Sequence, residues 1–263
     1  MKKLIVVCAA IILISANAMG QWGYPYASQA ISVPIDTSCM GLHGMVRTVE
    51  WQEIETLDDG EVVKDTLYQR YDKYGHVIEI VSLRQEGYPS WAYIKYKDGR
   101  INEMMYKSWS DSMRIIYRYT PDGCPKEVIY DYLDGTYNDT TFIRCDAQGR
   151  ITSEHGKLSS NVNYIYNAQG LLVKHIYENG DTLHYIYNEK GQIIKTIYEF
   201  GNMVRTRTFV RNQYGDIVDE YVKETDGEKN HHHFDYTYDT HRNWLTCRSG
   251  NTVTTRKITY YEP

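Results

Sequence analysis

A short motif that ends in glycine recurs along this chain and limits the folds open to it. It consists of an aromatic or polar residue, usually Asp or Asn next, two variable residues and Gly. Five copies follow it closely: Tyr71–Gly75, Cys145–Gly149, Tyr166–Gly170, Tyr187–Gly191 and Arg211–Gly215. Three depart from it: Tyr119–Gly123 has Thr second, Tyr96–Gly99 is one residue shorter, and Tyr238–Arg242 ends in Arg. A period of about two dozen residues is typical of a repeat protein.

The motif has the chemistry of a tight turn. Asp or Asn can bond the backbone two residues on, and Gly adopts the positive φ that other residues resist. We therefore interpret Asp72, Asn167 and Asn188 as turn residues rather than catalytic ones. A second set of turn signals marks the opposite edge of the sheet: Asp59–Gly60, Asp134–Gly135, Asn179–Gly180, Asp226–Gly227 and Gly250–Asn251. Turns that alternate between two edges predict a meander of roughly nine tandem hairpins.

The residues around each turn predict β-strands. Two copies align without a gap, Tyr164–Tyr177 over Tyr185–Tyr198. Tyrosines before the turn fall at alternate positions, which places them on one face of a strand. Two residues after the closing Gly or Arg, most copies carry a large apolar residue that we assign to the core: Val77, Ile101, Ile151, Leu172, Ile193, Ile217 and Trp244, with Pro125 as the exception.

The distribution of side chains over the two strand faces indicates one sheet rather than two packed sheets. If Asn179 and Gly180 form a two-residue turn, one face carries Leu172, Lys174, Ile176, Leu183, Tyr185 and Tyr187, and the other carries Leu171, Val173, His175, Tyr177, His184 and Ile186. Both faces would be mixed, so neither would form a dry core alone. The predicted fold is all-β: tandem antiparallel β-hairpin repeats in an extended, twisted or curled meander sheet.

The first residues have the composition of an export signal. Lys2 and Lys3 precede an apolar run, and Ala16-Asn17-Ala18 is a small-x-small cleavage site. We expect a signal peptide over 1–18, a leader or capping segment over 19–40 and one repeat domain over 41–263. The apolar run is shorter than the roughly 20 residues of a membrane-spanning helix, and the bulky Val7 before Cys8 argues against lipidation. The expected location is the periplasm, the cell surface or the exterior.

Charge and composition narrow the possible partners. Loss of Lys2 and Lys3 would take the formal net charge from −5 to −7, which argues against nucleic acid. The chain has 26 Tyr but 4 Phe, and exposed Tyr can stack on sugar rings or anchor interfaces. We therefore expect a non-enzymatic binding or structural module that recognises a glycan or a protein at the cell envelope, without a cofactor. The competing interpretation is that the tyrosines hold adjacent hairpins together.

Four cysteines would remain after cleavage: Cys39, Cys124, Cys145 and Cys247. A two-residue turn at Asp134 and Gly135 would place Cys124 directly opposite Cys145, and an oxidising compartment would permit a disulfide there. The alternative is two free thiols at variable motif positions. Cys39 and Cys247 have no partner that the sequence identifies.

The strongest candidate for a metal site is the run from His231 to Asp235, because His231, His233 and Asp235 would share one strand face. Together they would suit a metal-dependent hydrolase. Tyr236 stands where the last His of a hydrolase motif of this kind belongs, and a polar loop explains the run as well. We find no nucleophile motif, Walker loop or dinucleotide fingerprint in the sequence, so we assign no catalytic, cofactor-binding or metal residues.

The motif copies give the chain a family resemblance. It resembles the YD repeats of Rhs shells, teneurins and insecticidal toxin cocoons from about Gly41 to Tyr261, and Gly41–Trp51 is similar to the first strand of small exported bacterial members. The resemblance implies a repeat sheet and a possible accessory role in a contact-dependent toxin system. The large shells have many more repeats and a DPxGL-like segment before a toxin domain. We find neither here, so we expect no enclosed toxin.

Overall fold

The computed structural model describes residues 42–83, 89–108, 112–133, 135, 138–156 and 161–262. These residues form β-strands joined by turns: β1 (Val46–Thr56), β2 (Val62–Tyr71), β3 (Val77–Leu83), β4 (Ser90–Lys97), β5 (Arg100–Lys107), β6 (Ser112–Tyr119), β7 (Pro125–Tyr132), β8 (Asn138–Cys145), β9 (Ile151–His155), β10 (Val162–Tyr166), β11 (Leu172–Tyr177), β12 (Thr182–Tyr187), β13 (Ile193–Phe200), β14 (Met203–Arg211), β15 (Ile217–Glu224), β16 (Lys229–His233), β17 (Asp235–Tyr238), β18 (Trp244–Ser249) and β19 (Thr252–Tyr260). The predicted signal peptide and leader lie outside the described residues. Within them, no helix has the length and apolar character needed to cross a membrane.

The strands belong to one antiparallel sheet that curls until its two ends meet. Strands that follow one another in the chain are neighbours in the sheet, and β1 pairs with both β2 and β19. Only Phe234 separates β16 from β17, so the two are one interrupted strand: β16 pairs with β15, and β17 pairs with β18. The predicted all-β meander of tandem hairpins is confirmed.

Hydrogen bonds confirm the turn role of the motif. Asp72 Oδ1 accepts the backbone N–H groups of Tyr74 and His76 at 2.8 and 3.0 Å. Asn167 and Asn188 accept the corresponding bonds in their own repeats. In the last motif Arg242 has a φ of 69°, a left-handed conformation that disfavours residues with a Cβ.

A one-residue bulge follows the motif turn and changes which side chains face inward. In the first repeat Tyr71 pairs with Val77 while Arg70 pairs with Glu79. The side chains of Val77 and Ile80 therefore both lie on the inner face of the curled sheet, although a regular strand would place them on opposite faces. The core of buried apolar side chains is formed by Leu42, Val46, Val49, Trp51, Tyr71, Val77, Ile80, Ile94, Ile101, Met104, Met113, Ile115, Tyr117, Val128, Tyr130 and Ile143.

The predicted two-residue turn at Asn179–Gly180 is wrong. The N–H of Tyr177 donates to Asp181 O, and the N–H of Gly180 donates to Tyr177 O, both at 2.9 Å. The turn is one residue longer, and His175 pairs with Leu183. Leu183 and Tyr185 therefore share a face with His175 and Tyr177, because a slip of one residue moves a strand's side chains to the other face.

Four motif tyrosines link their hairpin to the preceding one, and in the last repeat Tyr236 makes the link in place of the motif residue Tyr238. Their hydroxyls donate to the carbonyl of the residue two after the preceding motif Gly: Tyr96 to Val77 at 3.0 Å, Tyr119 to Ile101 at 2.8 Å, Tyr166 to Ile151 at 2.9 Å and Tyr187 to Leu172 at 2.5 Å. We call these contacts tyrosine staples. Arg211 occupies the Tyr position in its repeat, and its Nε donates to Ile193 O at 3.0 Å, so a different donor makes the same link.

A disulfide takes the place of the staple in the repeat that begins at Cys145. The structure joins Cys145 to Cys124, which immediately precedes Pro125, the residue two after its motif Gly. In the antiparallel pair of β7 and β8, Glu127 pairs with Phe142. Cys124 lies three residues before Glu127 and Cys145 lies three residues after Phe142, so the same register places the two cysteines opposite each other. A covalent bond therefore makes the inter-hairpin link where the motif has neither Tyr nor Arg.

We propose that this disulfide forms in the mature protein. Peptide mass spectrometry of protein purified without reductant is expected to find Cys124 joined to Cys145. The double variant Cys124→Ser/Cys145→Ser should lose about 3 kcal/mol of unfolding free energy, because the bridge restricts the unfolded chain. Alkylation of both cysteines in oxidised, folded protein would contradict the pairing.

The staple predicts a specific effect of removing one hydroxyl. Tyr119→Phe should lower the unfolding free energy by about 1 kcal/mol, because it removes the hydrogen bond and leaves Ile101 O without that donor. Tyr93→Phe is the matched control, since Tyr93 is 43% exposed. Urea unfolding of both variants measures the difference. Equal effects would show that the staple adds no stability.

Candidate functional site

The inner face of the sheet changes from apolar to polar along the chain. The residue five positions after each motif Gly points inward next to the bulge. In the early repeats it is Ile80, Met104 and Val128, which belong to the core. In later repeats the same position holds Glu154, His175, Thr196 and Glu220. The apolar core therefore lies mainly behind β1–β8, and a polar lining begins at β9.

Charged groups of this lining pair with one another. Arg205 Nη2 lies 2.6 Å from Glu224 Oε1, and Arg207 Nε bonds Glu220. Burial, together with a hydrogen bond to Glu154, raises the pKa of Tyr164. These contacts satisfy charged groups on a partly enclosed surface, which indicates a structural role for them.

His175 lies in a cluster of tyrosine rings on the inner face. Its ring centroid is 4.7 Å from that of Tyr164, 5.3 Å from Tyr185 and 6.3 Å from Tyr177. Its Nε2 is buried without a hydrogen-bond partner in the described part of the chain. Burial lowers the pKa of His175 to about 4, so the imidazole is neutral at pH 7.

The histidines considered for a metal site lie on the outer face and bind a residue that the sequence did not identify. His231 Nε2 and His233 Nδ1 lie 2.9 and 2.8 Å from the same atom, Asp219 Oδ1. The hydrogen bond with Asp219 raises the pKa of His233, and bonds with both histidines lower that of Asp219. The register of β15 against β16 creates this cluster, because Asp219 pairs with His233.

The structure does not bring His231, His233 and Asp235 together as three metal ligands. Asp235 lies 3.4 Å from His233 Nε2, on the side of the ring away from Asp219. Among the described residues, the group whose ligand atoms lie within 4.8 Å of one another is Glu224, Asp226 and Glu228. These carboxylates surround a solvated turn, where acidic residues are common without an ion.

A band of apolar and basic side chains covers the outer face of β10–β15. Its apolar members are at least 41% exposed: Ile165, Ile186, Val210 and Tyr221. The register places Ile165 opposite Lys174 and Ile186 opposite Lys195. We call these six residues the outer band. Sequence analysis missed it because the faces of β11 and β12 depend on the turn at residues 178–180.

The staple tyrosines differ in exposure from the tyrosines at the surface. The staple tyrosines are partly buried, and their hydroxyls are bonded to neighbouring hairpins. Among the described residues, the exposed tyrosines lie elsewhere: Tyr74, Tyr93, Tyr214 and Tyr221. Tyr221 stacks on His231 with ring centroids 4.5 Å apart. The interpretation that motif tyrosines hold hairpins together therefore accounts for them better than sugar stacking.

The lowered pKa of His175 predicts a loss of stability in acid. Unfolding exposes the imidazole and restores a pKa near 6.5, so the unfolded chain binds the proton more tightly. Stability should therefore fall as the pH decreases from about 6.5 towards 4, by up to roughly 3 kcal/mol from this group. Urea unfolding across this range should show a flatter profile for His175→Gln, whereas the exposed-site control His155→Gln should follow the parent. Parallel profiles for all three proteins would contradict the assignment.

Solved structures with a similar arrangement share little sequence with this chain. A porin-like protein from Bacteroides uniformis is 10% identical with a TM-score of 0.49, over 81% of this chain and 98% of that one. The TcdB2–TccC3–Cdc42 structure is 10% identical with a TM-score of 0.26, over 76% of this chain and 16% of that one. The TcdB2–TccC3 structure is 8% identical with a TM-score of 0.25, over 78% and 15%. This chain thus spans about a sixth of the latter two.

The family comparison covers most of the repeat region. A search of curated proteins gave no match. The profile of the teneurin YD-shell family matches residues 52–260, a region that includes the motif copies, the staples and the strands from β2 to β19. The chain therefore belongs to the teneurin YD-shell family.

Proposed function

We propose that this protein is an exported, non-enzymatic shell module that recognises a protein partner through the outer band. Membership of the YD-shell family supports the structural part of the proposal. The staples support it too, because the motif tyrosines use their hydroxyl groups to hold the sheet together. The amino-terminal export signal supports a location in the periplasm, at the cell surface or outside the cell.

The observation that carries the proposal is the composition of the outer band. Lys174 lies opposite Ile165 and Lys195 lies opposite Ile186, and the exposed Val210 and Tyr221 continue the same face on β14 and β15, although the whole chain has a formal net charge of −5. Exposed apolar side chains grouped on one face are typical of a protein interface. The two lysines favour a partner that places Asp or Glu opposite them.

A glycan is the competing ligand for the same face. Sugar recognition through stacking needs an aromatic ring with a free face. His231 stacks on one face of Tyr221, and the other large side chains of the band are not aromatic, so the band offers at most one aromatic face. The band therefore suits a protein better than a carbohydrate.

The test is capture of a partner by the mature chain, from Met19 onward, in envelope extract, followed by a titration of the purified partner. Lys174→Glu/Lys195→Glu should weaken binding at least tenfold, and added salt should weaken the parent complex, because exposed charge pairs are screened. The matched control Lys107→Glu/Lys257→Glu changes the same charge at exposed sites outside the band and should bind like the parent.

Three outcomes would overturn the proposal. These are equal losses in the two double variants, saturable binding of an envelope glycan that Tyr221→Ala abolishes, or turnover of a substrate by the purified chain. If the identified partner is a toxin component, the accessory role in a contact-dependent toxin system is the specific form of this function. Recovery of a chain beginning at Met19 from the envelope or the medium tests the export step.

A further inference from the structure

Three buried nitrogen donors on the inner face lack hydrogen-bond partners in the described part of the chain. They are Trp51 Nε1, Gln69 Nε2 and Arg256 Nε. The three residues are 4%, 0% and 8% exposed, so solvent does not satisfy them. A buried donor without an acceptor destabilises the fold, and a charged donor does so more strongly.

The register places these residues side by side across three adjacent strands. Trp51 on β1 pairs with Arg256 on β19. Gln69 on β2 pairs with Val49, the next inward residue of β1. Tyr71 OH donates to Gln69 Oε1 at 3.0 Å, so the amide acceptor is used while its nitrogen is not. We call Trp51, Gln69 and Arg256 the donor cluster.

The Arg256 guanidinium is held between two indole rings. Its central carbon lies 3.6 Å from the ring centroid of Trp51 and 3.3 Å from that of Trp244. The two rings are nearly perpendicular, with an interplanar angle of 89°, so the planar guanidinium can stack on one ring and turns an edge towards the other. Its remaining N–H groups stay available for hydrogen bonds. None of the ion pairs between described residues includes Arg256, although the negative charge of Asp216 acts on it from beyond ion-pair distance.

The charge of Arg256 persists at neutral pH. Burial lowers its pKa to about 9, which leaves the guanidinium protonated at pH 7. A buried cation is strongly destabilising unless an anion or hydrogen-bond acceptors compensate it. The donor cluster therefore places a positive charge and unpartnered N–H groups on three adjacent strands of the inner face.

We propose that the donor cluster binds a compact monovalent anion, either a halide or the carboxylate of a small acid. Water accepts two hydrogen bonds and must also donate its own protons, whereas a compact anion accepts three N–H groups and neutralises the guanidinium. The bound anion stabilises the pairing of β1 with β19, because Trp51 and Arg256 lie on these two strands. It would thus act as a structural ion at the closure of the sheet.

The experiment follows thermal unfolding and tryptophan fluorescence of the mature chain. Chloride replaces the bulky anion gluconate at constant ionic strength, and formate replaces gluconate in a parallel series. We expect the Tm to rise with the logarithm of the compact anion concentration and the fluorescence to change saturably. A response to chloride identifies a halide site, and a response to formate alone identifies a carboxylate site.

Two variants and a control test the donors individually. Trp51→Phe keeps an aromatic ring but removes one donor, and should raise the anion concentration at half-saturation about tenfold. Gln69→Glu supplies a carboxylate within the cluster and should make the Tm independent of added anion. The control Trp91→Phe should titrate like the parent. Identical Tm and fluorescence of the parent in chloride, formate and gluconate would overturn the proposal, as would unchanged titrations of Trp51→Phe.

Discussion

The hydrogen bond from a motif side chain to a carbonyl of the preceding repeat is the interaction on which the sheet depends. A bulge after each motif turn takes residues out of the regular ladder, and buried backbone groups need partners. Tyr119 supplies one for Ile101 O, and Arg211 supplies one for Ile193 O. Where Cys145 occupies this position, a disulfide to Cys124 makes the link. The connection between hairpins is thus made by a tyrosine hydroxyl, by an arginine guanidinium or by a disulfide.

The sequence predicted the features that are local in the chain. The turn roles of Asp72 and Asn167 follow from chemistry within five residues. Val77 and Ile101, expected in the core, are 0% and 6% exposed, whereas Ile193 and Ile217, expected there as well, are only partly buried. The faces of β11 and β12 were predicted wrongly, because Asn-Gly fits turns of two lengths and one residue decides the register. The contact of His231 and His233 with Asp219 could not be predicted for the same reason. It needs the pairing of two strands whose offset no local signal fixes.

The change of the inner face from apolar to polar explains why tyrosine serves this protein better than phenylalanine. A lining that includes His175, Glu154 and Arg207 needs neighbours that provide both an apolar ring and a hydroxyl. Tyr164 meets both needs, since its ring packs on His175 and its hydroxyl bonds Glu154. Behind β1–β8, where Val128 and Ile143 are buried, aliphatic side chains fill the interior. Tyrosine therefore lets one repeat pattern continue across two different interiors.

Contacts between residues far apart in the sequence surround the pairing of β1 with β19. Neighbouring hairpins pair across short loops, whereas these strands come from opposite ends of the domain, so their pairing carries the largest loss of chain entropy. Asn243 binds both backbone groups of His43, at 2.6 and 2.8 Å, and Tyr261 OH donates to Tyr71 O at 2.7 Å. Arg256 lies between two tryptophans at the same junction. Closure leaves neither terminal strand with an unpaired side, which protects the sheet from pairing with other copies.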